Sequence, residues 1–238
     1  MSKNIPTDTQ TDVQVVDNVA RAAADLFIEQ AKQAVRERGQ FSVALSGGST
    51  PLAMYKLLVE DCADATFWQF THVFWGDERY VAHDQPDSNY GVAKEALLEH
   101  VGIPDTHIHP VPYLPDAPDD AARNYAITLS QVLGNSPVLD LTLLGLGDDA
   151  HTASLFPGTG AVHADGLVTV VETAAKGTRI SLTASMLSDS RTVAFLVAGE
   201  KKRQALTETL AGTGDVDRYP ARSISTQGRL VWLTDIQL

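Results

Sequence analysis

The sequence predicts an α/β fold: residues 1–238 as a single domain, built as a Rossmann-like, mostly parallel sheet with helices on both faces. Two observations predict the sheet. Short apolar runs alternate with amphipathic stretches along nearly the whole chain. The runs are mostly continuous in Val, Ile, Leu and Phe, as in strands covered on both faces. A third observation predicts one domain, because no segment is long enough to serve as a linker.

The elements follow in order. Val19, Ala22, Ala23, Leu26, Phe27 and Ala34 form a helical stripe, closed by Arg36 and Arg38 as a cationic last turn and Gly39 as the C-cap. Phe41–Leu45 reads as the next strand. Pro51 to Leu58 starts a second helix, with Thr50 expected as N-cap and Pro51 at the first helical position. His72–Trp75 is a strand, and Asp84 to Asp87 a loop. Ser88 is expected to cap a third helix carrying Ala93, Leu97 and Leu98. Pro110 to Pro118, with four prolines, reads as a second loop. Asp119 or Asp120 is expected to cap a fourth helix running through Tyr125 and Leu129 to Gly134. Strands are then expected at Leu139–Leu144, Leu167–Val171, Ile180–Thr183 and Val193–Val197. Ala205, Leu206, Thr209 and Leu210 mark a fifth helix stopped by Gly212, and Leu230–Leu233 is the last strand.

Composition excludes several classes. Thirty acidic residues against eighteen basic ones give a net charge of −12, which repels nucleic-acid phosphates and anionic lipid heads. No nucleic-acid or membrane partner is therefore expected, and no apolar run approaches the length of a membrane span. The one cysteine, Cys62, cannot form an internal disulfide and reads as helix packing, in keeping with a reducing cytoplasm. Met1 to Val13, with Asp8 and Asp12, has neither the basic start nor the apolar core of a signal peptide.

Three turns after strands carry chemistry. Ser46-Gly47-Gly48-Ser49-Thr50 joins a strand to a helix N-terminus. Its glycines let backbone amides approach a ligand, its hydroxyls add donors, and the helix end favours an anion. It has neither the lysine of a Walker loop nor dinucleotide-loop spacing, so a phosphate cradle and a plain glycine turn with a cap both fit. Gly76-Asp77-Glu78-Arg79 follows His72–Trp75 at the strand end that faces the ligand crevice. There Arg79 could clamp a phosphate or carboxylate, and Asp77 could orient a sugar hydroxyl or act as a base. Taken alone, a surface turn whose charges pair with each other explains that segment better.

The third turn, Gly145-Leu-Gly147-Asp148-Asp149-Ala150-His151-Thr152, delivers two aspartates and a histidine from a buried strand. His151 can take a proton from water, with Asp149 fixing its tautomer; a capping aspartate beside a satisfied histidine fits the same residues. Arg179 opens a strand, and Lys201 and Lys202 follow Gly199; Lys201 reads as ordinary surface charge. His107 and His109 alternate in a proline-rich loop, with His83 and His100 not far off, but no matching Cys or Glu pattern completes a zinc set, so no metal is expected.

With these segments in view, the chain resembles the family of 6-phosphogluconolactonases and glucosamine-6-phosphate deaminases, on its lactonase side. Five blocks carry the resemblance in order: Leu45-Ser-Gly-Gly-Ser-Thr-Pro51; Trp75-Gly-Asp-Glu-Arg79 with Asp87-Ser-Asn-Tyr90; Leu144-Gly-Leu-Gly-Asp-Asp-Ala-His-Thr-Ala-Ser-Leu-Phe-Pro157; Arg179-Ile-Ser-Leu-Thr183; and Gly199-Glu-Lys-Lys202. They span about Leu45 to Ala221. The resemblance implies hydrolysis of 6-phospho-D-glucono-1,5-lactone in the oxidative pentose phosphate pathway, with neither metal nor organic cofactor. It implies His151 as the general base, supported by Asp149. Ser46, Gly47, Gly48, Ser49, Thr50, Arg79, Arg179 and Lys202 would line the sugar-phosphate site, with Asp77 and Asn89 nearby and Asp77 either catalytic or positioning.

The family usually carries Asp-Gly-His where this chain has Asp149-Ala150-His151. If that position needs positive φ, alanine strains the turn. Asp148 is also placed to compete with Asp149 for the histidine. The deaminases carry Phe-Asn-Glu-Pro after their histidine, whereas Ser154-Leu-Phe-Pro157 here has no acid. A non-catalytic sugar-phosphate effector domain would be expected to carry a basic helix-turn-helix, and the first forty residues show one helical stripe and no basic recognition helix. A monomer or small homo-oligomer in the cytoplasm is expected.

Overall fold

The computed structural model of the chain describes residues 11–212 and 214–238; residues 1–10, including Asp8 of the polar N-terminal segment, and residue 213 lie outside the described residues. Its strands are β1 (Thr11–Val15), β2 (Phe41–Leu45), β3 (Thr71–Trp75), β4 (Asp77–Arg79), β5 (Leu139–Gly145), β6 (Val168–Thr173), β7 (Gly177–Leu182), β8 (Ser190–Val197) and β9 (Arg229–Thr234). Six of them form one parallel sheet in the order β1-β9-β8-β5-β2-β3. All five residues of β2 are buried although successive side chains face opposite sides, so both faces of the sheet are covered there.

The helices form where the pattern predicts, with shifted caps. α1 (Val19–Arg38) buries its apolar stripe, is capped by the Asn18 side chain on the Arg21 N–H, and ends at Gly39 with φ 76°. α2 (Ser49–Cys62) starts two residues earlier than expected. Gly48, at φ 107°, is its N-cap, so Thr50 lies inside the first turn. α3 (Asn89–Ala96) is capped by Ser88 Oγ accepting from the Gly91 N–H at 3.0 Å. In α4 (Pro118–Leu133) proline takes the first helical position, Ala117 is the cap, and Asp119 and Asp120 sit in the first turn, where they suit the helix dipole. The short α5 (Ala184–Ser188) and α6 (Arg203–Leu210) follow, the latter ending ahead of Gly212.

Three elements escape the apolar pattern. β1 is a polar edge strand, alternately exposed and half-buried. Its existence depends on pairing with β9 and on Asp12 accepting from Arg229 at 2.9 Å. β4 is three residues long, and α5 is five. The runs at Leu167–Val171 and Ile180–Thr183 are strands but leave the main sheet. As β6 and β7 they form an antiparallel hairpin, joined to β4 in the order β4-β7-β6. The turn between them spans only residues 174–176, far too short for the dozen or so residues a parallel crossover needs.

The exposed edge of β3 is covered by the chain around Ile108, which bridges to Val73. His72 Nδ1 lies 3.1 Å from His109 Nε2, and the His72 and His107 rings stack at 4.0 Å. Burial, together with the neighbouring imidazoles, lowers both His72 and His109 to about 4. An unfolded chain binds these protons near pH 6.5, so it gains protons over the folded one as pH falls from 6.5 towards 4. Stability is thus full above pH 6.5 and lost below it. Because both side chains are only half-buried, we expect a modest fall in Tm, about 2–5 °C between pH 7.5 and 5. His72→Gln should flatten that slope, and an unchanged slope would contradict the burial argument.

Candidate active site

The main sheet reverses its winding between β2 and β5. The chain steps from β2 to β3 on one side, and β5 lies against the other side of β2. In open α/β sheets ligands bind at such a reversal, outside the carboxyl ends of the strands. A cavity of about 330 Å³ opens there, within the size range of small-molecule sites. It is lined by Ser46, Gly47 and Gly48 after β2, by Asp77, Arg79 and Asn89, by Gly145 to Gly147 and His151 after β5, by Arg179 on β7 and by Lys202 after β8. A larger groove of about 660 Å³ lies at the other end of the sheet, between Arg38, Arg191 and Arg229. Those arginines engage Asp140 and Asp12, and no histidine lies there.

The glycine turn is held from two sides. Tyr55 on α2 donates its hydroxyl to the Ser46 carbonyl at 2.7 Å. Gly47 packs against the Asn89 carboxamide so closely that a β-carbon would overlap it. Asn89 in turn donates Nδ2 to the Asp77 carbonyl at 2.9 Å. Ser49 and Thr50 do not line the cavity; they form the first turn of α2, where only backbone amides and the helix dipole could act on an anion.

Glu78, not singled out by its pattern, organises the neighbouring turn. It is 2% exposed and accepts from the backbone N–H groups of Arg79 (2.8 Å), Asn89 (2.6 Å) and Tyr90 (2.8 Å), and from the Ser88 hydroxyl at 3.1 Å. Burial raises its pKa, against the pull of those amides. One buried carboxylate thus fixes the start of α3 and the placement of Asn89. Asp77 lines the cavity and accepts from Ser154 Oγ at 2.5 Å.

Arg79 and Arg179 face each other across the β4–β7 pair. Arg79 Nη1 donates to the Asp87 carbonyl at 2.6 Å, and Arg179 Nη1 to the Thr178 carbonyl at 3.3 Å. Neither guanidinium forms a salt bridge among the described residues, so the turn is not the self-paired surface loop that its residues allowed. Burial and then the Arg79 charge lower the Arg179 pKa, offset in part by Asp77, Asp87 and Glu78. Two adjacent cations without a salt-bridge partner are suited to hold an anion. Lys202 is already occupied, its Nζ lying 2.6 Å from Asp148. That pairing removes Asp148 from competition for His151. Lys201 is exposed.

His151 Nδ1 lies 2.5 Å from Asp149 Oδ1. With Asp149 ionised the shared proton is on Nδ1, which leaves the lone pair of the neutral ring on Nε2. Burial pushes Asp149 up, but the His151 hydrogen bond and charge, with Lys176, hold it below the ordinary carboxylate range. The turn is backbone-locked. Gly147 N–H donates to the His151 carbonyl at 2.8 Å, Ala150 N–H to the Gly147 carbonyl at 3.0 Å, and Ala221 N–H to the Ala150 carbonyl at 3.0 Å. A β-carbon on Gly147 would overlap the imidazole and reach 2.6 Å from Asp149 Oδ1, so only glycine fits there. Ala150 does adopt φ 61°, the strained conformation its position implied. The strain costs about 1 kcal/mol, and burying its methyl, 1% exposed, returns about 0.8 kcal/mol, so the dyad survives.

The residues that the pattern missed are Ser154, Phe156 and Lys176, which line the same cavity. Phe156 packs beside His151 with ring centroids 4.8 Å apart, and Lys176 Nζ sits 4.2 Å above the Phe156 ring. Lys176 is in the β6–β7 turn, and only the hairpin pairing brings it here. Among the described residues, no group of three or more His, Cys, Asp or Glu is arranged to hold a metal ion, and no helix is long and apolar enough to cross a membrane.

Fold and site together place the protein among sugar-phosphate-binding α/β enzymes. The chain belongs to the family of glucosamine-6-phosphate isomerases/6-phosphogluconolactonase, which it matches over residues 15–232. It is 46% identical over 210 residues to the 6-phosphogluconolactonase of a Synechocystis species, covering 86% of each chain. It is 42% identical to that of a Nostoc species, covering 89% of this chain and 88% of the other. The crystal structure of 6-phosphogluconolactonase from Thermotoga maritima superposes with a TM-score of 0.84 at 30% identity, covering 94% of this chain and 99% of that one.

Proposed function

We propose that the chain is a 6-phosphogluconolactonase, opening 6-phospho-D-glucono-1,5-lactone to 6-phosphogluconate as a step of the oxidative pentose phosphate pathway in the cytoplasm. The observation that carries this reading is the meeting, in one cavity, of a carboxylate-backed histidine and two arginines without carboxylate partners. The relatives' names point the same way.

The phosphate dianion is placed on Arg79 and Arg179, near the Ser46–Gly48 turn and the N-terminus of α2. The lactone then lies towards His151. Its Nε2 takes a proton from water as the water oxygen bonds to the carbonyl carbon. As the tetrahedral intermediate collapses, the bond from that carbon to the ring oxygen breaks. His151 returns the proton to the departing oxygen, and Asp149 stabilises the imidazolium formed in between. His151 carries the proton through this cycle, so the reading invokes no metal. Asp77, tied to Ser154, acts as a substrate-positioning group. The whole chain is read as one catalytic domain, working as a monomer or small homo-oligomer without nucleic acid.

Ring opening of glucosamine 6-phosphate is the other activity found in this family, but the stretch after His151 supplies no acid for it. The test is direct: hydrolysis of freshly made 6-phosphogluconolactone, with the spontaneous rate subtracted, beside ammonia release from glucosamine 6-phosphate. Lactone hydrolysis well above the blank, with no ammonia, is expected. A rate equal to the blank would overturn the reading.

A further inference from the structure

The four cations of the cavity have different partners. Arg79 and Arg179 have no carboxylate, Lys202 is taken by Asp148, and Lys176 lies 3.8 Å from Asp149 Oδ2, the oxygen that His151 leaves free. The Lys176 backbone is fixed by its N–H donating to Thr173 Oγ1 at 2.8 Å, and Gly177, at φ 68°, closes the turn. Its ammonium also rests on the face of Phe156, whose ring packs beside His151. Lys176, Asp149, His151 and Phe156 therefore form a closed ring of contacts, three of them from the loop after β5 and one from the hairpin.

We propose that Lys176 is a positioning residue of the dyad. It holds Oδ2 so that Oδ1 stays aimed at His151 Nδ1, and its charge opposes formation of the imidazolium. The proposal rests on the reading of His151 as the base. Lys176 is drawn to Asp149 by charge and to Phe156 by the ring quadrupole, which together fix an otherwise flexible side chain over the dyad. The other charges near the pair, Asp148 on its own loop and Lys202 after β8, neutralise each other, and Lys201 is exposed. Of the cations that line the cavity, the hairpin lysine is the one in contact with Asp149.

Two readouts on Lys176→Met and Lys176→Arg test this. The first is the acid limb of the kcat–pH profile, and the second is the His151 imidazole titration followed by NMR, assigned with His151→Asn. Loss of the cation should move both midpoints up together by about half a pH unit, with a several-fold fall in plateau kcat. Arginine should restore both. Because Lys176 is 40% exposed, high salt should shrink the difference between wild type and Lys176→Met. Unchanged midpoints with a raised KM would overturn the proposal and make Lys176 a phosphate ligand. A shifted NMR midpoint in a protein with no lactone hydrolysis would instead support the positioning of the pair while removing the catalytic reading beneath it.

Discussion

His151→Ala is expected to lower kcat for lactone hydrolysis by about 10²–10⁴-fold, or roughly 3–5 kcal/mol of barrier, with KM changed far less. The separation follows from geometry. The imidazole contacts Asp149 and Phe156, whereas Arg79 and Arg179, the proposed phosphate contacts, belong to a different sheet. The mutant should fold, because the turn is held by backbone bonds from Gly147, Ala150 and Ala221 that do not need the ring. Asp149→Asn should fall between wild type and His151→Ala, since it removes the tautomer control and keeps the base. The check is kcat after subtracting spontaneous hydrolysis, on protein whose circular dichroism and melting match wild type. Retention of most of the rate in His151→Ala would place the base elsewhere.

Arg179→Ala and Arg79→Ala carry the second large effect. Each removes a charge-assisted contact worth about 1.5–3 kcal/mol, so KM should rise roughly 10–100-fold. Contacts to the phosphate exist in ground and transition states alike, so kcat should change less. A stability readout separates this role from a structural one. Burial and Arg79 disfavour the charge on Arg179 more than Asp77, Asp87 and Glu78 offset them, and neither guanidinium forms a salt bridge among the described residues. Removing one arginine from the free protein therefore relieves repulsion, and Tm should hold or rise. A large loss of Tm, or an equal loss in kcat at constant KM, would show that the arginines serve the fold or the chemistry instead. Inorganic phosphate should raise the Tm of wild type and lose that effect in the double mutant.

The sheet strands most legible in the sequence are those whose two faces are buried. β2, β5 and β8 are almost wholly buried and read directly as continuous apolar runs. β1 did not, because an edge strand needs only one partner and its burial merely alternates. β6 and β7 were visible as strands, but their apolar residues do not say which sheet they join. The short turn at residues 174–176 does. Caps were legible when the side chain itself is the cap, as at Ser88, and shifted when glycine or proline geometry set the boundary, as at Gly48 and Pro118.

The site divides in the same way. Asp149 and His151 are two residues apart, so local chain geometry suffices to join them, and Gly147, whose missing β-carbon makes room for the ring, is in the same turn. The positive φ of Ala150 was expected only on the condition that the glycine usual at this position needs it, and the structure meets that condition. The sequence by itself determined the strand–helix alternation, the three glycine-bearing turns after strands and the closeness of Asp149 to His151, because each depends on residues within a few positions of one another. Only the tertiary structure decided that Arg79 faces Arg179, that Lys202 belongs to Asp148, that Glu78 holds Asn89 in place, and that Lys176 reaches Asp149. These pairings join separate turns and separate sheets. They are set by strand register and hairpin closure, which no local pattern of residue types encodes.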